Sequence, residues 1–315
     1  MRIIPLTLRG IAGCVVCAGV IGAGALAQEP RVAIEPRSAP PKLSIKPPSN
    51  LRLDVTMVLV PVSVKDPTDR PVLNLPADSF RIYEDNIEQK IASFALEEGP
   101  ISIGILFDAS TSMKPRMAAA LNAVEQFLRT AAPGDEFNLV SFSDQPNVVM
   151  NFTQDINEIL APLASVQAAG WTALHDALCL SLQKMKKAKN ARRALLILSD
   201  GGDNNSRYSE SEVRNMVRES DVRVYSIGLF ERPKLLENLA ADSGGRAYLV
   251  HKLDDLPDVV ETLSRDLRSQ YVLGYSSNNG QKDGKYRKVR VELIDKLRRI
   301  PLSIFWRRGY YAPGD

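Results

Sequence analysis

Two apolar rhythms alternate along the middle of the chain. Short runs in which nearly every position is apolar, ISIGILF (101–107), FNLVSF (137–142), ALLILS (194–199), VRVYSIGL (222–229) and RAYLV (246–250), are separated by stretches whose apolar residues recur every three or four positions. The first kind reads as strands buried on both faces, the second as amphipathic helices. The helical spacing predicts a helix from Pro115 to about Arg129, with Met117, Ala120, Leu121, Val124 and Leu128 on one face. Further helices are expected near 156–165, from Thr172 to about Lys186, and near 209–219, 233–242 and 254–268. Proline is compatible with a first helical turn, where its missing N–H costs nothing. Buried strands alternating with helices predict an α/β fold over residues 99–268, a doubly wound and mostly parallel sheet covered on both faces.

On either side the rhythm changes to a period of two. LRLDVTMVLVPVSVKD, SFRIYEDN and EQKIASFALEE before residue 99, and QYVLGYSS, KYRKVRVELI and IPLSIFWRRGYY after residue 268, alternate and are broken by Pro, Asp, Asn and Gly. Such runs predict antiparallel strands. The first two strands of the tail, joined across NNGQKDG, are expected to form a hairpin. Three or four short strands make too little core to stand alone. The economical arrangement pairs segment 51–98 with segment 269–315, so that the α/β domain is inserted in a small discontinuous antiparallel β domain.

The beginning of the chain fits neither pattern. Basic Arg2 and Arg9 precede an uncharged apolar run from Gly10 to Leu26, and Ala25 and Ala27 stand in an A-x-A arrangement. These are the parts of a signal peptide over residues 1–27. The alternative, an uncleaved membrane anchor, needs roughly 20 strongly apolar residues, and this run is shorter and diluted with glycine. Residues 28–50 are proline-rich without periodicity and read as an extended linker. Cleavage would remove Cys14 and Cys17, leaving Cys179 alone in an apolar helical pattern, where a packing role is expected and an intramolecular disulfide is impossible. Export without a disulfide framework points to a bacterial envelope or secreted protein.

With 44% hydrophobic and 24% charged residues, the 315-residue chain has ordinary globular composition. Its net charge of +3 loses two with Arg2 and Arg9, and nothing in the remainder points to nucleic acid. Nothing beyond the leader is apolar enough to span a membrane.

Candidate chemistry gathers at strand ends. ISIGILF runs into Asp108, followed by hydroxyls at Ser110 and Ser112; Thr172 follows the loop AAG-Trp171; Asp200 follows ALLILS. In an open α/β sheet, ligands bind beyond the carboxyl ends of the strands. Two carboxylates and three hydroxyls, without a His or Cys cluster, select a hard cation. By itself Asp-x-Ser-x-Ser is usually a helix N-cap or an Asx turn. Asp203, Asn204 and Asn205 suggest loop capping, since the terminal glutamate of a calcium loop is missing. His175 stands one helical turn after Thr172 and reads as a solvated or core-edge histidine. Catalysis finds little support: there is no G-x-S-x-G elbow, no G-x-x-x-x-G-K-[ST] loop, and the chain has only His175 and His251. A metal-dependent hydrolase and a structural module without metal are the alternatives to a binding function.

Asp108-x-Ser110-x-Ser112, Thr172 in GWTALHDAL and Asp200 in LSDGGDN together resemble the metal-ion-dependent adhesion site of von Willebrand factor type A domains. The resemblance covers about residues 100–268, and the flanking β segments resemble those of bacterial secreted von Willebrand factor A-related proteins. It implies a Mg²⁺, or in its place Mn²⁺ or Ca²⁺, held by the hydroxyls of Ser110, Ser112 and Thr172, with Asp108 and Asp200 binding directly or through water. It further implies a protein partner that presents Asp or Glu. Trp171 departs from the family pattern, in which a small residue often precedes the threonine. Mg²⁺ prefers six oxygens in a near-octahedral shell, and a site with at most two carboxylates leaves the ion under-neutralised and open to an acidic side chain.

Overall fold

The computed structural model describes residues 57–231, 234–294 and 301–314. The expected signal peptide, the linker and the first residues of the N-terminal β segment lie outside them. The described chain enters with β1 (Met57–Lys65), β2 (Phe80–Glu84), β3 (Ile87–Gln89) and β4 (Ile91–Leu96). Asp85 and Asn86 join β2 to β3 with φ of 46° and 70°. Two left-handed residues make the tight hairpin turn whose twist matches the strands, and Asp and Asn tolerate that region best after Gly.

The alternating middle follows: β5 (Ile101–Asp108), α1 (Met117–Leu128), β6 (Glu136–Phe142), β7 (Pro146–Thr153), α2 (Ile156–Ala164), α3 (Leu174–Met185) and β8 (Arg192–Ser199). It continues with α4 (Glu210–Glu219), β9 (Val222–Leu229), α5 (Lys234–Ser243), β10 (Ala247–Val250) and α6 (Leu256–Arg268). The six-stranded sheet has the order β10-β9-β8-β5-β6-β7. All pairs are parallel except β6 with β7. Every residue of β5 and β9 is buried, as unbroken apolar runs require. One face carries α1, α2 and α6 on Ile101, Ile103, Ile105 and Phe107; the other carries α3, α4 and α5 on Leu106, Leu195, Ile197 and Val224. From β5 the chain winds to β6 on one side and later returns to β8 on the other, so the winding reverses at the carboxyl ends of β5 and β8.

Local signals set the helix ends. Ser209 and Glu212 close a capping box at the start of α4, and Asp155 caps α2 through the Asn157 N–H at 2.9 Å. Two expectations need correction. Pro115 lies in a 3₁₀ turn, Thr111–Arg116, and α1 begins only at Met117. Thr172 stands two residues ahead of α3, in the loop.

The tail supplies β11 (Tyr271–Ser276), β12 (Tyr286–Leu293), β13 (Ser303–Trp306) and β14 (Gly309–Tyr311). The expected hairpin between the first two does not form. β11 pairs with β1 and β4, whereas β12 pairs with β2 and β14, all antiparallel. Two four-stranded sheets result, β13-β1-β11-β4 and β14-β12-β2-β3. Strands from before and after the α/β region thus share one apolar cluster, including Val60, Val62, Phe80, Ile82, Leu273, Tyr275 and Val291.

The described residues belong to one compact unit. Within it, the buried Lys65 of β1 pairs with Asp266 of α6 and lies 3.5 Å from Asp69. Asp266 also accepts the Tyr248 hydroxyl and lies 3.4 Å from the Arg246 guanidinium. Burial pushes the Lys65 ammonium pKa down, and Asp266 pulls it back up. Among the described residues no helix is long and apolar enough to cross a membrane.

Candidate functional site

Asp108 is the last residue of the central strand β5 and is fully buried. Its Oδ1 accepts the Ser110 N–H at 2.9 Å, an Asx turn that leads the chain off the strand end. Its Oδ2 accepts the Ser199 hydroxyl at 2.5 Å across the sheet from the end of β8. Burial pushes the Asp108 carboxyl up; the Ser199 and Ser110 hydrogen bonds oppose the rise and the neighbouring Asp200 adds to it.

From this anchor a line of oxygens runs outward. Ser110 Oγ and Ser112 Oγ lie 3.0 Å apart, and the Ser112 hydroxyl donates to Asp200 Oδ1 at 2.9 Å. The other carboxylate oxygen of Asp200, Oδ2, is paired with the guanidinium of Arg116. Asp108, Ser110, Ser112 and Asp200 are therefore joined in one hydrogen-bonded chain that includes Ser199.

Thr172 is carried on a separate loop. The loop before it is laid against the Asp108 turn: the Thr111 N–H donates to the Gly170 carbonyl at 3.0 Å and the Ala169 N–H to the Ala109 carbonyl at 2.9 Å. Gly170 has φ of +76°, and a Cβ there would collide with the Asp144 carboxylate, whose Oδ1 accepts the Trp171 N–H at 2.8 Å. Glycine is required on both counts. Thr172 itself is buried; its N–H donates to Asn204 Oδ1 at 2.7 Å and its carbonyl accepts the N–H groups of Asn204 and Asn205. The Asp203–Asn205 stretch thus caps a loop: Asp203 Oδ1 accepts the His175 N–H at 3.1 Å. The His175 ring lies against the Tyr208 carbonyl, 2.8 Å from Nδ1. Trp171 projects into solvent, 64% exposed.

The donor set suits a hard divalent cation. It is all oxygen, and the fully buried Asp108 carboxylate meets only neutral donors, Ser110 and Ser199, so its charge lacks a partner. Among the described residues no group of three or more His, Cys, Asp or Glu side chains comes together as a metal cluster. A cation here would depend on hydroxyls as much as on carboxylates.

Three participants escaped the sequence reading. Ser199 directly precedes Asp200, but its role needs β8 beside β5. Arg116 lies four residues after Ser112, and its partner Asp200 is 84 residues away in sequence. Asp144 holds the loop before Thr172 from a turn that carried no motif.

Residues 103–202 match the family model of the von Willebrand factor type A domain. The chain is 26% identical over 222 residues to human inter-alpha-trypsin inhibitor heavy chain H4, a match covering 64% of this chain and 24% of that protein. It therefore spans about a quarter of the length of the curated relatives it matches. Among solved structures it resembles a von Willebrand factor type A protein from Catenulispora acidiphila, at 14% identity and a TM-score of 0.50, covering 81% of this chain and 73% of the other. It also resembles proximal thread matrix protein 1 from the mussel byssus, described with a zinc-occupied adhesion-site motif, at 18% identity and a TM-score of 0.50, covering 58% of this chain and 49% of that one. With a family match running from β5 past β8 of the six-stranded α/β sheet, residues 103–202 carry the mark of a von Willebrand factor type A domain.

Proposed function

We propose that the chain is an exported, non-catalytic recognition module that binds an acidic side chain of a partner protein through a divalent metal ion, Mg²⁺ in the first instance. The observation that carries this reading is the line from Asp108 through Ser110 and Ser112 to Asp200 at the reversal point of the sheet. Asp108 would supply buried negative charge, Ser110, Ser112 and Thr172 neutral hydroxyls, and Asp200 a second, likewise buried carboxylate. When bound, the ion would supply an electrophilic position for a partner's carboxylate. The protein's own residues hold the loops in place: Ser199 orients Asp108, Asp144 holds the Trp171 loop, and Asn204 holds Thr172. The zinc described at the motif of the mussel protein supports a divalent ion in such a site. Exposed Trp171, beside Thr172, is a rigid aromatic able to contact whatever flanks the acidic group.

Export, to the envelope or beyond, rests on the pattern of residues 1–27. In the same reading the β-rich part is a discontinuous domain into which the type A domain is inserted, a view supported by the pairing of β1 with β11 and β2 with β12.

The test is a pull-down from envelope extract with the full mature chain, in Mg²⁺, in chelator, and with Asp108→Asn in Mg²⁺. Proteins retained only by the unaltered chain with Mg²⁺ are expected. An identical retained set in all three arms would sink metal-dependent recognition.

A further inference from the structure

The cation nearest Asp200 belongs to the protein itself. Arg116 ends the 3₁₀ turn that carries Ser112, and its Nη1 both donates to the Ser112 carbonyl at 2.9 Å and pairs with Asp200 Oδ2. The Asp200 side chain is 2% exposed and that of Arg116 27%. A carboxylate so deeply placed requires a counter-charge, and a guanidinium, weakly hydrated and planar, is suited to supplying one. The other face of the contact is also built. The guanidinium carbon lies 4.7 Å from the centre of the Phe230 ring. Phe230 adopts φ of +69°, held there by its N–H donating to the Val250 carbonyl at 2.8 Å. A bulky residue in the left-handed region is strained, and here the strained position presents an aromatic face, 41% exposed, to the arginine.

We propose that Arg116 is a built-in competitor for Asp200 that lowers the metal affinity of the site; this rests on the metal-site reading above. With Arg116 in place, Asp200 has both oxygens committed, Oδ1 to the Ser112 hydroxyl and Oδ2 to the guanidinium. A dication ligated at Asp200 would share that oxygen with a positive group or require the group to leave. Only the fraction of molecules with Arg116 withdrawn is competent, and apparent affinity falls by that fraction. Partial exposure and the stack on Phe230 give the guanidinium somewhere to go without losing all its contacts. The device would shift the Mg²⁺ concentration at which the site fills upward.

Calorimetric titration of the chelator-stripped full chain with Mg²⁺ at fixed ionic strength tests this in four proteins: unaltered, Arg116→Gln, Arg116→Lys and Lys114→Gln. Lys114 is an exposed cation on the same turn and controls for loss of one positive charge. Arg116→Gln is expected to tighten Mg²⁺ binding about tenfold or more, Arg116→Lys by less, and Lys114→Gln by under about threefold. Circular dichroism checks that each variant is folded. Binding seen only in Arg116→Gln would be the competition in its extreme form and would support the proposal. Binding by the unaltered chain that is unchanged or weaker in Arg116→Gln, or equal gains in Arg116→Gln and Lys114→Gln, would overturn it and leave the metal site standing. No binding in any of the four would remove the metal site, and the competitor with it.

Discussion

A single buried carboxyl at the candidate site carries a cost in stability. Asp108 sits at 0% exposure with neutral donors, and burial raises its pKa above the usual carboxylate value of 3.8. A raised folded-state pKa means the native chain binds the proton more tightly than the unfolded chain. Its contribution to stability is therefore complete below that usual value and is lost as pH rises through the folded pKa. Asp108→Asn keeps the acceptor for the Ser110 N–H and offers an amide N–H to the Ser199 oxygen. We expect this variant, in chelator at pH 7, to melt several degrees above the unaltered chain, with the gap closing near pH 3.5, while Mg²⁺ binding is lost. Thermal melts across that range check it; a lower melting temperature at pH 7 would show that the ionised form is stabilising. Asp108, Ser110, Ser112 and Asp200 were legible in the sequence because their spacing is local to two strand ends. Ser199 and Arg116 were not, because their partners lie 91 and 84 residues away.

Elements with an unbroken period were legible, whether fully buried as β9 or alternating as β12. β9 was expected over 222–229 and spans Val222–Leu229, all buried; its eight-residue length and its β-branched and aromatic residues favour a strand over a helix. β7 was missed: it is a half-buried edge strand with irregular register against β6, and its alternation is broken accordingly. The hairpin expected from β11 and β12 failed because alternation shows that a strand has two faces without saying which strand lies beside it. The same fact makes a segment test informative. Residues 51–98 alone leave β1 without β11 and β13 and β2 without β12, exposing long unpaired edges. Expressed alone, they should be insoluble or show coil-like circular dichroism and no cooperative melt. A soluble, cooperatively melting fragment would mean that the segment carries its own core.

At the scale of the whole molecule, the β-rich part and the α/β part meet through charge. Lys65, 1% exposed, faces Asp266, 3% exposed, with Tyr248 and Arg246 on the same carboxylate. Removing one member of a buried pair leaves the other charge uncompensated, at a cost of about 3–5 kcal/mol. Asp266→Ala should lose stability of that order in urea unfolding, whereas Lys65→Met combined with Asp266→Leu should recover most of it. A loss below about 1 kcal/mol for Asp266→Ala would indicate that water reaches the pair.

The period of apolar residues and the placement of Asp, Ser and Gly were enough to specify a wound α/β sheet and four linked members of a strand-end site. Those features are written over a few consecutive residues, where backbone geometry turns spacing directly into a face or a turn. The splitting of the tail between two sheets, the seating of Lys65 on Asp266, and Arg116 occupying Asp200 arise from surfaces brought together across the chain. Such contacts are selected by the complementarity of whole faces, in burial and in charge, and that complementarity comes into existence only when the elements pack.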